Sequence, residues 1–253
     1  MSDVDLAPLA GIEARLRRHG AWFADRGLDL SRATARADAT TAIAAHFPTF
    51  ERVRDVATGC VAGPLAGPAE VALARQLVAC GVLVVDGGGV FSPSAEADRY
   101  LRGGWLEEHL GLCALAAGAD EVRIGQKLGW IAQGFEGENE IDTIARFADR
   151  LVFVSAKALR SRLDDGGPRH RARLMEALQE ADNLIDHFGE ATSAVALVVT
   201  TDLWDERRGE PRYEQLHGKA AALGVALVPL EWIDRERLVA RLAELGAGRG
   251  RGR

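Results

Sequence analysis

"RFADRLVFVSAKALR", residues 146–160, holds an apolar run, Leu151–Ala156, that carries one hydroxyl and no charge and is closed by Lys157. A short aromatic and β-branched run of this kind reads as a strand buried on both faces. Burial accounts for the run but not for the lysine, unless its amine simply reaches back to water along its own stem. The flanks extend the pattern. Upstream, "EVRIGQKLGW" (121–130) and "NEIDTIA" (139–145) are strand-like and are parted by the glycine-bearing "AQGFEGE". Downstream, "RHRARLMEALQEADNLIDHFG" places Leu174, Leu178, Ala181, Ile185 and Phe188 at helical spacing and ends on Gly189. A wholly apolar segment "SAVALVVT" (193–200) follows, then a helix around 213–223, a strand "VALVPL" (225–230) and a last helix "DRERLVARLAEL". Buried strands alternating with helices predict an α/β fold, a mixed central sheet flanked by helices.

The preceding residues have a different texture. Residues 1–62 are rich in Ala and Arg, with Leu9, Ile12, Leu16 and then Ile43, Phe47, Phe50, Val53 at helical spacing and nothing that alternates like a strand. They read as a helical N-terminal region. Over 63–102, a Pro-opened helix through Val71, Leu73, Leu77 and Val78 gives way to "VLVVDGGGVFS", a hairpin about a glycine turn. Helix then hairpin suggests a winged-helix-like connector, although "VDGGGV" offers no Lys or Arg to a phosphate. The tail 246–253, "GAGRGRGR", is low in complexity and is expected to be disordered.

Composition narrows the function classes. With 47% apolar and 27% charged residues the chain can bury a real core, and its net charge of -6 means that any polyanion-binding patch must be local. Three cysteines without CxxC spacing argue against a structural zinc or a disulfide framework, and six histidines without HxxxH spacing argue against a histidine metal centre. No apolar stretch approaches about 18 residues, and the acidic start lacks the basic region of a signal peptide. The expectation is a cytoplasmic protein with no membrane partner.

Asp142 interrupts "IDTI" on a strand that belongs to the core, where an unpaired carboxylate is costly. It needs a counter-charge, either a metal ion or Lys157 in a plain structural ion pair. Ahead of the three strands, "GGWLEEHLGLCALAAG" (103–118) reads as a helix with Trp105 in the core and Glu107 and Glu108 in its first turns, Glu108 facing solvent. Helix, strand, strand, strand, helix, strand, with a carboxylate in the first helix, another on the second strand and a lysine ending the third, resembles the PD-(D/E)XK nuclease core. "GGWLE", "NEID" and "SAK" are similar, in order and at similar spacing, to stretches of the CRISPR ancillary endonucleases, which join a cyclic-oligoadenylate-sensing CARF domain to a winged-helix connector and a nuclease. The resemblance spans roughly residues 65–245, with 103–245 as the restriction-endonuclease-like domain.

The resemblance implies a metal-dependent endonuclease hydrolysing phosphodiester bonds of DNA or RNA in prokaryotic defence, with Mg²⁺ or Mn²⁺ as cofactor and a homodimer as the assembly. A hard cation on oxygen ligands suits that chemistry, because it polarises the phosphoryl group and offsets the growing charge. By position Asp142 matches the metal-binding acid, Lys157 the residue that steers the attacking water, and Glu107 the helix glutamate. The third-strand acid is here Ser155, a poorer metal ligand. Glu140, on the same strand face as Asp142, is the candidate replacement, and the Ala156 carbonyl could add a backbone ligand. Residues 1–100 show no succession of βα units, so activation by a cyclic oligonucleotide is not expected to carry over. A gate would then fall to the N-terminal region, a regulatory partner or dimerisation. "RSRLDDGGPRHRAR" supplies Arg160, Arg162, Arg169, His170, Arg171 and Arg173 as candidates to grip a phosphate backbone, or else forms a solvated helix face. Gln126 and Lys127 are weaker candidates for substrate contact. The alternative function is a catalytically weak or inactive nuclease-fold scaffold that binds nucleic acid or a defence complex.

Overall fold

The computed structural model describes residues 11–132 and 134–249. Leu9 and residues 250–253 of the tail lie outside them. Before the central sheet come helices α1 (Ile12–Arg17), α2 (Leu30–Ala35), α3 (Ala37–Ala45), α4 (Phe47–Ala57) and α5 (Pro68–Ala79), with strand β1 (Ala21–Phe23) between α1 and α2. A hairpin of β2 (Leu83–Val85) and β3 (Phe91–Pro93) follows α5. Next come α6 (Trp105–Ala116), β4 (Glu121–Ala132), β5 (Phe135–Phe147), β6 (Arg150–Lys157), α7 (Gly167–Phe188) and β7 (Ala194–Val199). A small hairpin of β8 (Trp204–Asp205) and β9 (Glu210–Pro211) precedes α8 (Glu214–Leu223), β10 (Ala226–Val228) and α9 (Arg235–Gly246).

Six strands form one mixed sheet in the order β1-β4-β5-β6-β7-β10. β1, β4, β5 and β6 pair antiparallel in turn, whereas β6–β7 and β7–β10 are parallel. The local reasons are ordinary. β6 and β7 are continuous β-branched and aliphatic runs, buried along nearly their whole length, as parallel strands covered on both faces must be. α7 and α8 are the crossovers that parallel pairing demands. The mixed α/β sheet flanked by helices is the architecture expected from the sequence.

One face of the sheet packs on α6, α9 and the helices before β2; the other packs on α1, α7 and α8. α6 is buried almost all round, which marks a central helix rather than a surface one. Trp105 at its start is fully buried and lies against Phe47 and Phe50 of α4, ring centroids 5.5 and 5.8 Å away. Gly111 lets α6 approach β4 closely, since a Cβ there would meet the Ile124 side chain at 2.1 Å. Glu107 is thereby held over the middle of β4.

Four sequence readings change. Residues 21–23 form β1, an edge strand paired with Leu128–Trp130; three residues are too short for alternation to show. The segment 135–138, read as part of a turn, belongs to β5, so the β4–β5 hairpin is longer than expected. Glu108 is buried and ion-paired with Arg36 of the N-terminal region, not solvated. In the tail, Arg249 N–H still bonds the Glu244 carbonyl at 2.9 Å. All three cysteines are free thiols, and among the described residues no helix is long and apolar enough to cross a membrane.

Candidate active site

The site lies where β5 and β6 part. Their ladder runs from Phe147↔Arg150 to Thr143↔Val154 and stops there. At the next position the Asp142 carboxylate takes over, Oδ2 accepting the Ala156 amide N–H at 2.7 Å. Because β5 is antiparallel to β6, its first half and the end of β6 share one end of the sheet. Glu140, Asp142, Ser155 and Lys157 therefore line one cleft of about 570 Å³, closed on the far side by Glu180, Asn183 and His187 of α7. A second cleft of about 460 Å³, lined by Arg99, Glu107, Ala156, Lys157 and Arg173, adjoins it. Lys157 belongs to both.

Two cations, Lys157 and Arg99, stand among four carboxylates here. Lys157 Nζ is 2.8 Å from Glu180 Oε2, so its ion-pair partner is a helix carboxylate that the sequence did not single out, and not Asp142. Arg99 reaches Glu107 Oε2 at 2.9 Å and Glu140 Oε1 at 3.0 Å with the same Nη2. Gly125, at φ 52°, makes room for that bridge: a Cβ would stand 2.7 Å from Arg99 Nη2 and 3.1 Å from Glu107 Oε2. Burial pushes the Glu107 carboxyl up to about 7, against the pull of Arg99, with the Asp142 and Glu140 charges adding to the rise. Burial also raises Asp142, opposed by the Ala156 N–H and by Lys157. These carboxylates sense one another and are short of positive charge.

As the side chains lie, no three of His, Cys, Asp and Glu among the described residues are gathered closely enough to hold one metal ion. The donor chemistry still suits a hard cation. The Arg99 guanidinium stands between two of the oxygen donors, Glu107 and Glu140, over the Gly125 floor. Ala156 is tied to the site through its N–H. Ser155 is buried at 4% exposure and lines the same cleft.

The arginine run does not form one surface. His170 leaves the set: it is 6% exposed, its Nε2 is 2.9 Å from Thr201 Oγ1, and burial lowers its pKa. Arg171 pairs with Asp164 and lies over the Tyr213 ring. Arg160 bonds Asp55 of α4 at 2.6 Å. Arg162 is exposed, while Arg169 and Arg173 point into a smaller cleft beside the lysine. Gln126 is fully buried, its Nε2 donating to Asp25, and cannot meet a substrate. A larger cleft, about 670 Å³ between α7, α8 and α9, contains one carboxylate, Glu190, already bonded to Arg15. It offers no comparable chemistry.

Two solved structures share this architecture. One is protein VC1899 from Vibrio cholerae, 17% identical at a TM-score of 0.67, matched over 95% of this chain and 62% of its own. The other is Can2 from Sulfobacillus thermosulfidooxidans, in complex with cyclic tetra-adenylate, 11% identical at a TM-score of 0.59 over 92% and 61%. The likeness is one of fold. The chain spans under two thirds of the length of either protein. No protein-family model and no curated protein matches it.

Proposed function

We propose that the protein is a metal-dependent endonuclease of the PD-(D/E)XK type, hydrolysing phosphodiester bonds of DNA or RNA in prokaryotic defence. The observation that carries this is the meeting of Asp142, Lys157 and Glu107 around the parted ends of β5 and β6, with Glu140 beside them. The fold shared with Can2, a protein solved with a cyclic oligonucleotide, supports the defence setting. Asp142, Glu107 and Glu140 would hold Mg²⁺ or Mn²⁺, with the Ala156 carbonyl as a backbone ligand. When bound, the ion polarises the phosphoryl group and offsets the charge that develops on it. Lys157, aimed by Glu180, sets a positive group beside the attacking water, and Asp142 fixes the β6 end through the Ala156 N–H. Arg99 stands between Glu107 and Glu140, two of the residues that would hold the metal, and would have to leave that place. A homodimer is part of the proposal, with the gate falling to the N-terminal region, a regulatory partner or dimerisation.

The test is cleavage of plasmid, single-stranded DNA and RNA with Mg²⁺ or Mn²⁺, repeated with Asp142→Ala and Lys157→Ala. Either substitution is expected to cut the rate on the order of 10²-fold or more, with an unchanged circular dichroism spectrum. A second reading, a nuclease-fold scaffold without activity, is favoured by Ser155 in the acid position and by Arg99 already lodged between Glu107 and Glu140. Binding of nucleic acid with no cutting by the native protein under either metal would select it.

A further inference from the structure

The cleft beside the lysine measures about 260 Å³ and gathers Arg54 from α4, Arg160 from the loop after β6, and Arg169 and Arg173 from the first turns of α7. Arg54 and Arg160 are braced by one carboxylate, Asp55, at 2.9 and 2.6 Å, with Glu51 nearby at 3.9 and 3.8 Å. Arg169 and Arg173 make no ion pair among the described residues. At i and i+4 on one helix face they repel each other. The residues that line the cleft include four arginines and no carboxylate, in a chain whose net charge is -6. The N–H groups at the start of α7 add to that field. This cleft shares Ala158, Leu159 and Arg173 with the cleft at Lys157. The three steps from Lys157 to Arg160 span at most about 11 Å.

We infer that this arginine cleft is a second phosphate seat, holding a backbone phosphodiester further along the same strand that presents its scissile phosphate at Lys157. The inference rests on the nuclease reading and names how that site takes its substrate: by a strand running from the lysine over Ala158 and Leu159 to the α4–α7 wall. It departs from the sequence cluster by adding Arg54 and leaving out Arg162 and Arg171; His170 lines the cleft, but its ring is engaged by Thr201.

The test is fluorescence anisotropy with labelled single-stranded DNA and RNA 12-mers in EDTA, where no cutting occurs, over a salt series. The native protein is compared with Arg169→Ala/Arg173→Ala, with Arg54→Ala, and with Arg207→Ala/Arg208→Ala on the β8–β9 turn, which lines neither cleft. The α7 double variant is expected to bind about tenfold more weakly, and the slope of log K against log salt to fall by about 0.7, one phosphate contact on a single strand. The β8–β9 variant should match the native protein. An unchanged slope and affinity in the α7 variant, or an equal loss in the β8–β9 control, overturns the seat. The two readings fail separately: intact cutting with an unchanged salt slope removes the seat alone, whereas the expected slope change in a protein that never cuts removes the catalytic reading alone.

Discussion

Replacing Glu107 by Gln should stabilise the protein, and only above a definite pH. Glu107 lies between the apolar wall of α6 and the floor at Gly125, its side chain 16% exposed, and burial lifts it from the ordinary 4.5 to about 7 despite Arg99. Below pH 4.5 the carboxyl is protonated in folded and unfolded chains alike, and Glu and Gln are equivalent. Between 4.5 and 7 the unfolded chain ionises while the folded one keeps its proton, so folding loses about 1.4 kcal/mol for each pH step. Above pH 7.5 the loss is complete at about 3 kcal/mol. The Gln variant, of equal size and uncharged, escapes it. For a chain of this length that corresponds to a melting temperature about 6–12 °C above the native protein at pH 8. Thermal melts of both proteins in EDTA, followed by circular dichroism at pH 4.5, 6 and 8, give the difference directly. A difference that is the same at all three pH values, or a less stable Gln variant at pH 8, would refute the claim that Glu107 is a charge held at a folding cost.

Further outcomes follow from neighbouring contacts. Arg99→Gln removes the cation lodged between Glu107 and Glu140, and should lower the Mn²⁺ concentration for half-saturation about two- to fivefold, the scale of a half-exposed ion pair, read by electron paramagnetic resonance of free Mn²⁺. Ser155→Asp adds a carboxylate beside Asp142 in the shared cleft; it should lower the melting temperature without metal and tighten Mn²⁺ binding by the same readout. Trp105→Ala empties the seat between Phe47 and Phe50 and should cost about 3–5 kcal/mol. Trp105→Phe should cost far less, because it also removes an indole N–H that has no hydrogen-bond partner; both are measured by urea denaturation.

The fold could be read from the sequence because its deciding strands are long and apolar without interruption. Lys157 and Asp142 stood out for the same reason: each breaks a pattern that burial enforces. Glu180 did not, since a glutamate on the polar face of α7 looks like any solvated helix residue until a lysine arrives from β6. Arg99 lies in the stretch between β3 and α6, where charge has no pattern to violate. Glu108 was misread because its partner, Arg36, is 72 residues away, and only the packing of the N-terminal helices on α6 brings the two together. His170 misled in the opposite sense: its arginine neighbours suggested a surface, while the helical period turns its ring inward to Thr201.

Topology explains why the charged groups meet at this end of the sheet. β6 is antiparallel to β5 and parallel to β7, so the carboxyl ends of the parallel strands and the amino half of β5 face the same space, as at the ligand-binding edge of open α/β sheets. The cleft at the opposite end, beside Arg150 and Ala194, holds no comparable cluster of acids, and there β5 and β6 stay paired through Phe147↔Arg150. A sheet selected for stability alone would keep the ladder closed past Thr143 and fill positions 142 and 157 with apolar residues. Here the ladder ends early and a carboxylate stands in for a strand bond. The two buried acids are held above their ordinary protonation range, with cations close enough to restrain the cost and exposed enough to leave. That combination has a physical rationale when a stronger cation and a phosphate enter the same space.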